Sequence, residues 1–128
     1  MNEQAQNQAR FAAQEFLELA GMHLHGLDGS VAPRTVLRRF LSHFGVSPFH
    51  CAVVWLVSAN NLMAKDPCVK PTHLLWTMNL LKTDDTENQL GGRWHVDEKT
   101  LRKWVYFVLD ELSNLGFVSE KGAHKLTI

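Results

Sequence analysis

The chain has 128 residues, 45% of them hydrophobic, enough for one core without a metal or disulfide staple. No apolar run approaches the roughly 18 residues that a membrane-crossing helix needs, and residues 1–14 lack the cationic and apolar regions of a leader peptide. Net charge is zero, which excludes a strongly basic polyanion binder, yet the charge is segregated: residues 1–32 carry −3, residues 33–82 carry +5 and residues 83–128 carry −2.

The chain begins with good helix formers, and Phe11, Ala12, Phe16, Leu19 and Ala20 predict a helix from Glu3 to Ala20 with a frayed start. Gly21, Gly26, Asp28, Gly29 and Ser30 mark a loop. A second helix is expected from Pro33, with Val36, Leu37, Phe40, Leu41 and Phe44 on one face and Gly45 at its end. Ser47 followed by Pro48 is a cap plus first-turn proline, opening a third helix through about Asn61 in which CAVVWLV reads as almost fully buried. Asp66 and Pro67 break the chain, and Pro71 restarts it with Leu74, Leu75, Met78 and Leu81 on one face.

Asp85 or Thr86 then caps a short helix carrying Leu90, and Asp97 caps a longer one carrying Leu101, Trp104, Val105, Val108, Leu109 and Leu112, closed by Gly116. Phe117 to Ile128 alternates weakly and fits either a small hairpin or an unpaired tail. The fold expected is an all-α compact bundle of five to six helices. Residues 1–32 form its N-terminal helix and loop, 33–116 its main body and 117–128 its tail.

The segment TENQLGGRWHVDEKTLRKWVYFVLDEL, Thr86 to Leu112, has the outline of a helix-turn-helix. Leu90, Val96, Leu101 and Trp104 are expected to bury between its helices, with Gly91 where they approach closely. That leaves Lys99, Thr100, Arg102, Lys103 and Tyr106 outward near the start of the second helix, the end that faces a DNA groove in such motifs. Arg and Lys donate to guanine edges or phosphates, and Arg93 beside them is a further candidate contact. Arg34, Arg38 and Arg39 form a second patch, read either as phosphate contacts or as a solvated helix face. FGVSPFHCAVVW, Phe44 to Trp55, repeats the outline of WHVDEKTLRKWV, Trp94 to Val105. Its outward positions, Phe49, His50 and Val53, are poor phosphate donors, so the first unit is expected to pack and the second to read.

Three segments carry a resemblance: RRFLSHFGVSP at Arg38 to Pro48, PTHLLWTMNLLKT at Pro71 to Thr83, and VDEKTLRKWVYFVLDEL at Val96 to Leu112. Together they resemble, in order, the region preceding the catalytic domain of Harbinger-type transposases. The resemblance spans Arg38 to Leu112 and implies recognition of double-stranded DNA in the nucleus, with cleavage left to a separate domain. Two departures stand out. His95 occupies the usual turn glycine, where histidine tolerates positive φ better than most residues, and Gly91 and Gly92 lie inside a short helix. The 128 residues leave no room for a ribonuclease-H-like domain, so a binding rather than a catalytic role is expected.

Other chemistry reads weakly. Cys51 and Cys68 form no CxxC pair and are expected to be reduced thiols in a soluble intracellular protein. The seven histidines lack partners at zinc-like spacing, so neither metal nor cofactor is expected. His50 and Cys51 are helical neighbours whose side chains diverge, and His73 reads as a first-turn or core residue. Asp84, Asp85 and Glu87 read as helix-start charges, and Trp55, Trp76, Trp94 and Trp104 as core. The rival function is a protein-interaction subunit using Phe11, Phe16 or Phe49, as a homodimer or within a larger complex.

Overall fold

The computed structural model describes residues 3–24, 32–83 and 85–117, apart from the side chains of residues 5, 6, 11 and 23. Within these limits the chain is all-α: α1 (Glu3–His23), α2 (Pro33–Phe44), α3 (Pro48–Lys65), α4 (Pro71–Lys82), α5 (Glu87–Trp94) and α6 (Glu98–Asn114). No strand occurs among the described residues. The expected choice between hairpin and tail falls on residues that, Phe117 excepted, lie outside them.

The bundle is organised around α4, which contacts every other helix. Pro71 starts it with a fixed φ, and all seven residues from His73 to Asn79 are buried. A helix apolar on one face covers a core, whereas one buried on all sides must run through it. Two polar members of this run, His73 and Thr77, find partners locally, whereas the Trp76 Nε1 is buried without one among the described residues. The Thr77 hydroxyl donates to the His73 carbonyl at 2.9 Å, and the Lys70 N–H donates to His73 Nδ1 at 3.0 Å. The His73 ring stacks on Trp104 of α6 with centroids 4.1 Å apart and planes 7° from parallel.

Around this axis, α1 lies against α3 and α4 with Ala9, Phe16, Ala20 and Leu24 buried. It runs past the expected stop at Gly21, because burying Leu24 rewards another turn, and the Leu24 N–H still reaches the Ala20 carbonyl at 2.8 Å. The third helix also exceeds its expected end at Asn61. Leu62 is fully buried, and Lys65 Nζ donates to Glu111 Oε2 of α6 at 2.6 Å. Nor is CAVVWLV almost fully buried as expected, since Leu56 and Val57 are 39% and 51% exposed. The neighbouring helices cover only part of α3, whatever its composition.

At the far end, α6 closes as a Schellman motif: Gly116 takes φ 83°, its N–H donates to the Ser113 carbonyl, and the Phe117 N–H donates to Leu112 at 2.8 Å. No single helix among the described residues is long and apolar enough to cross a membrane.

Two predictions follow from packing. A Cβ on Gly91 would stand 2.6 Å from the Val96 carbonyl oxygen, whereas one on Gly92 would meet nothing within 4 Å. Gly91→Ala is therefore expected to destabilise by about 1–3 kcal/mol and Gly92→Ala to stabilise by about 0.5–1 kcal/mol, read from urea unfolding. Equal effects at both positions would contradict the packing described.

The His73 pKa is pushed down to about 4, first by burial and then by the Lys70 charge, with Asp66 opposing and Lys103 adding. His43 is lowered too, by burial ahead of the Arg93 charge. The unfolded chain takes up these protons near pH 6.5, while folded His73 waits until about pH 4. Stability should thus be complete above the upper value and decline towards the lower one, as the unfolded state binds more protons in between. Urea midpoints across that range should fall in the wild type and fall less in His73→Phe, which retains an aromatic ring against Trp104.

Candidate nucleic-acid interface

The second helix pair is built from local signals that agree. The Thr86 hydroxyl accepts from the Gln89 N–H at 3.2 Å, and Gln89 Oε1 accepts from the Thr86 N–H at 2.8 Å, closing a capping box that starts α5. The helix stops where His95 turns left-handed, at φ 58° and ψ 45°. It is the one non-glycine residue with positive φ among those described, at the expected position. The Val96 N–H folds back onto the Gly91 carbonyl at 2.9 Å, so the close approach at Gly91 is to the turn itself. Asp97 then caps α6, accepting from the Thr100 N–H at 3.1 Å. Its carboxyl is held below the usual range, first by the Thr100 side chain and then by the Thr100 N–H.

The first pair is built the same way. Gly45 turns left-handed at φ 76° to end α2, and Ser47 caps α3 by accepting from the His50 N–H at 3.1 Å. The internal echo is therefore a shared backbone construction, although the two pairs present different faces.

Leu90 and Leu101 are buried as expected, while Val96 is half-buried. Trp104 is buried too, and its ring stacks on His73 of α4. Trp94, 2% exposed, lies 6.1 Å from Phe44 between ring centroids. All four tryptophans belong to the core.

On the opposite side of α6, Lys99, Arg102, Lys103 and Tyr106 are exposed at i, i+3, i+4 and i+7 and form one stripe. Lys103 Nζ sits 4.6 Å from the Trp104 ring centroid. Arg102 is exposed but occupied: Nε and Nη2 lie 2.7 and 2.6 Å from Glu87 Oε2. The Tyr106 hydroxyl donates to the other Glu87 oxygen at 3.4 Å. Thr100 is half-buried and serves the cap.

Arg93 departs from the expectation of a DNA contact. Its guanidinium lies 2.6 Å from Asp85 Oδ2 and donates to Asn79 Oδ1 at 2.8 Å, so it fastens α5 to the fold. Glu87 stands in the first turn of α5, as expected, and also holds Arg102; Asp85, just before the helix, holds Arg93, and Thr86 makes the cap. Asp84 lies outside the described residues.

Sequence reasoning missed Asn79 altogether. Fully buried, it donates from Nδ2 to the His43 carbonyl at 2.7 Å and accepts from Arg93 and, at 3.2 Å, from Trp94 Nε1. Its partners come from two separate segments, α2 and α5, and no local spacing could reveal them.

The remaining candidates divide. Arg34, Arg38 and Arg39 are all exposed on α2, with Leu37 and Leu41, 44% and 45% exposed, in the same stretch. Phe49 is exposed, whereas Phe16 is buried; the Phe11 side chain lies outside the description. Burial pushes the Cys51 thiol up to about 12, which leaves no thiolate for His50 to activate, and His50 Nδ1 instead lies 3.1 Å from the Ser47 hydroxyl. Among the described residues no group of three or more His, Cys, Asp or Glu stands close enough to hold a metal. Compared with known proteins, the chain matches no family model, no curated protein and no solved structure.

Asn79→Ala should remove the acceptor of Trp94 and Arg93 and the donor to His43. Buried groups left without partners cost about 1–3 kcal/mol each, so an overall loss of roughly 2–4 kcal/mol is expected in urea unfolding. A loss within experimental error would mean that the three contacts do not hold α5 in place.

Proposed function

We propose that this chain binds double-stranded DNA by laying the N-terminal half of α6 in the major groove. The observation that carries the reading is the exposed stripe of Lys99, Arg102, Lys103 and Tyr106 on a helix whose other side is fixed in the core. An exposed stripe on a rigid helix, entered through a tight left-handed turn, is what groove insertion requires. The resemblance to the region preceding the catalytic domain of Harbinger-type transposases supports the same role and a nuclear setting.

Within this reading the residues have separate tasks. Lys99 and Lys103 neutralise phosphates as flexible point charges. Arg102 is the base-reading candidate, since its planar fork can pair with guanine, but it must first leave Glu87. Glu87 thus penalises weak or mismatched encounters, because only a good acceptor compensates for the broken ion pair. Arg39, Arg38 and Arg34 offer auxiliary phosphate contacts from α2. Asp97 and Glu98 beside the stripe keep non-specific attraction small.

A second reading, as a protein-interaction module, has its own observation. Phe49, Val53, Leu56, Val57 and Met63 lie along one side of α3, four of them exposed and Val53 half-buried, in a stripe free of charged groups. The two readings use different helices and are compatible.

Anisotropy titration against duplexes enriched from random oligonucleotides tests the proposal. Lys99→Glu with Lys103→Glu should weaken binding at least tenfold and flatten the salt dependence by about two phosphate contacts. Glu87→Gln should tighten it by releasing Arg102. Duplex affinity that ignores both changes would sink the groove-docking model.

A further inference from the structure

Two surfaces outside the α6 stripe are complementary in shape and charge. The first is a groove of about 740 Å3 between α1, α3 and the start of α4, with Phe16, Trp55, Leu56 and Pro71 in its lining and Glu3 and Glu15 on its wall. It is continued by a smaller hollow of about 320 Å3 that shares Glu15 and Pro71 and adds Glu18, with Lys70 at its side. The second surface is on α2, where Arg34, Leu37, Arg38 and Leu41 stand at i, i+3, i+4 and i+7, all exposed. That spacing is how an amphipathic helix presents anchors to a groove. Among the described residues neither Arg34 nor Arg38 has an ion pair, and neither do Glu3, Glu15 or Glu18.

We infer that the α2 stripe of one copy docks into the acidic groove of a second copy, so that the chain self-associates. The stripe spans about 10 Å along its axis, and α1 borders the larger groove for about 20 Å from Glu3 to Phe16, at 1.5 Å per helical residue. The length therefore fits. Leu37 and Leu41 would cover the apolar floor, and Arg34 and Arg38 would meet the glutamates along the wall. The partner is a second copy because the complementary charge is already within this chain: acidic residues 1–32 and basic residues 33–82 sum towards neutrality. A helix anchored by Phe40 and Phe44, both fully buried, presents this stripe without leaving its own core. Such a contact either closes reciprocally into a two-fold dimer or runs head to tail. Both raise the mass with concentration, and both weaken with salt.

Charge exchange provides the test, with the full chain in sedimentation velocity at low ionic strength. The wild type should gain mass as its concentration rises and lose that gain in high salt. Arg34→Glu with Arg38→Glu, and separately Glu15→Lys with Glu18→Lys, should each remain monomeric, since each sets like charges against one another. Their equimolar mixture should associate again, because both exchanged surfaces then find opposite partners. Unchanged far-UV circular dichroism checks that the variants fold. A wild type that stays monomeric, a mixture that fails to associate, or an arginine variant that self-associates as before overturns the inference. So does an arginine variant that loses only duplex binding, which would assign α2 to phosphate; the lysine substitutions on α6 leave both self-association surfaces intact and so test DNA binding separately.

Discussion

One buried amide, Asn79, joins parts of the molecule that the sequence keeps far apart. From the middle of the bundle it ties the last turn of α2, through the His43 carbonyl, to the last turn of α5, through Arg93 and Trp94. Hydrophobic packing is tolerant of small rotations, whereas a hydrogen-bonded polar group in the core specifies one arrangement. The short α5 needs this help, having eight residues and two glycines; an isolated helix of that length is unstable in water. Because α6 is entered through α5, the orientation of the outward stripe depends on an amide that no ligand would touch.

Much of this was legible in the sequence, because the signals were local. Caps at Ser47 and Asp97, prolines at Pro33, Pro48 and Pro71, and the left-handed positions at Gly45 and His95 each depend on a few neighbouring residues. What local patterns could not supply was partnership across the fold. Glu87 and Arg102 are not a helical i, i+4 pair, and nothing in their spacing shows that one occupies the other. For the same reason Arg93 looked like an outward cation and proved to be a fastener. The composition of α3 suggested a fully buried rod; its exposed Val57 shows that apolar content sets how much a helix can bury, while its neighbours set how much it does.

Charge in this protein is organised as separate surfaces that cancel in the total. The cations of α6 are flanked by Asp97 and Glu98, those of α2 are exposed along one helix, and α1 is acidic. A uniformly basic domain of this size would adhere to any polyanion. Here each cationic stripe is narrow, and its attraction fades over roughly 8 Å at physiological ionic strength.

The two arginines nearest the turn, Arg93 and Arg102, are both restrained from the α5 region, by Asp85 just before it and Glu87 in its first turn. A single local fraying event there would unmask two cations at once. The α5–α6 pair thus links backbone order to surface charge: the same short helix that is held by the Asn79 amide carries or adjoins the carboxylates that occupy both arginines.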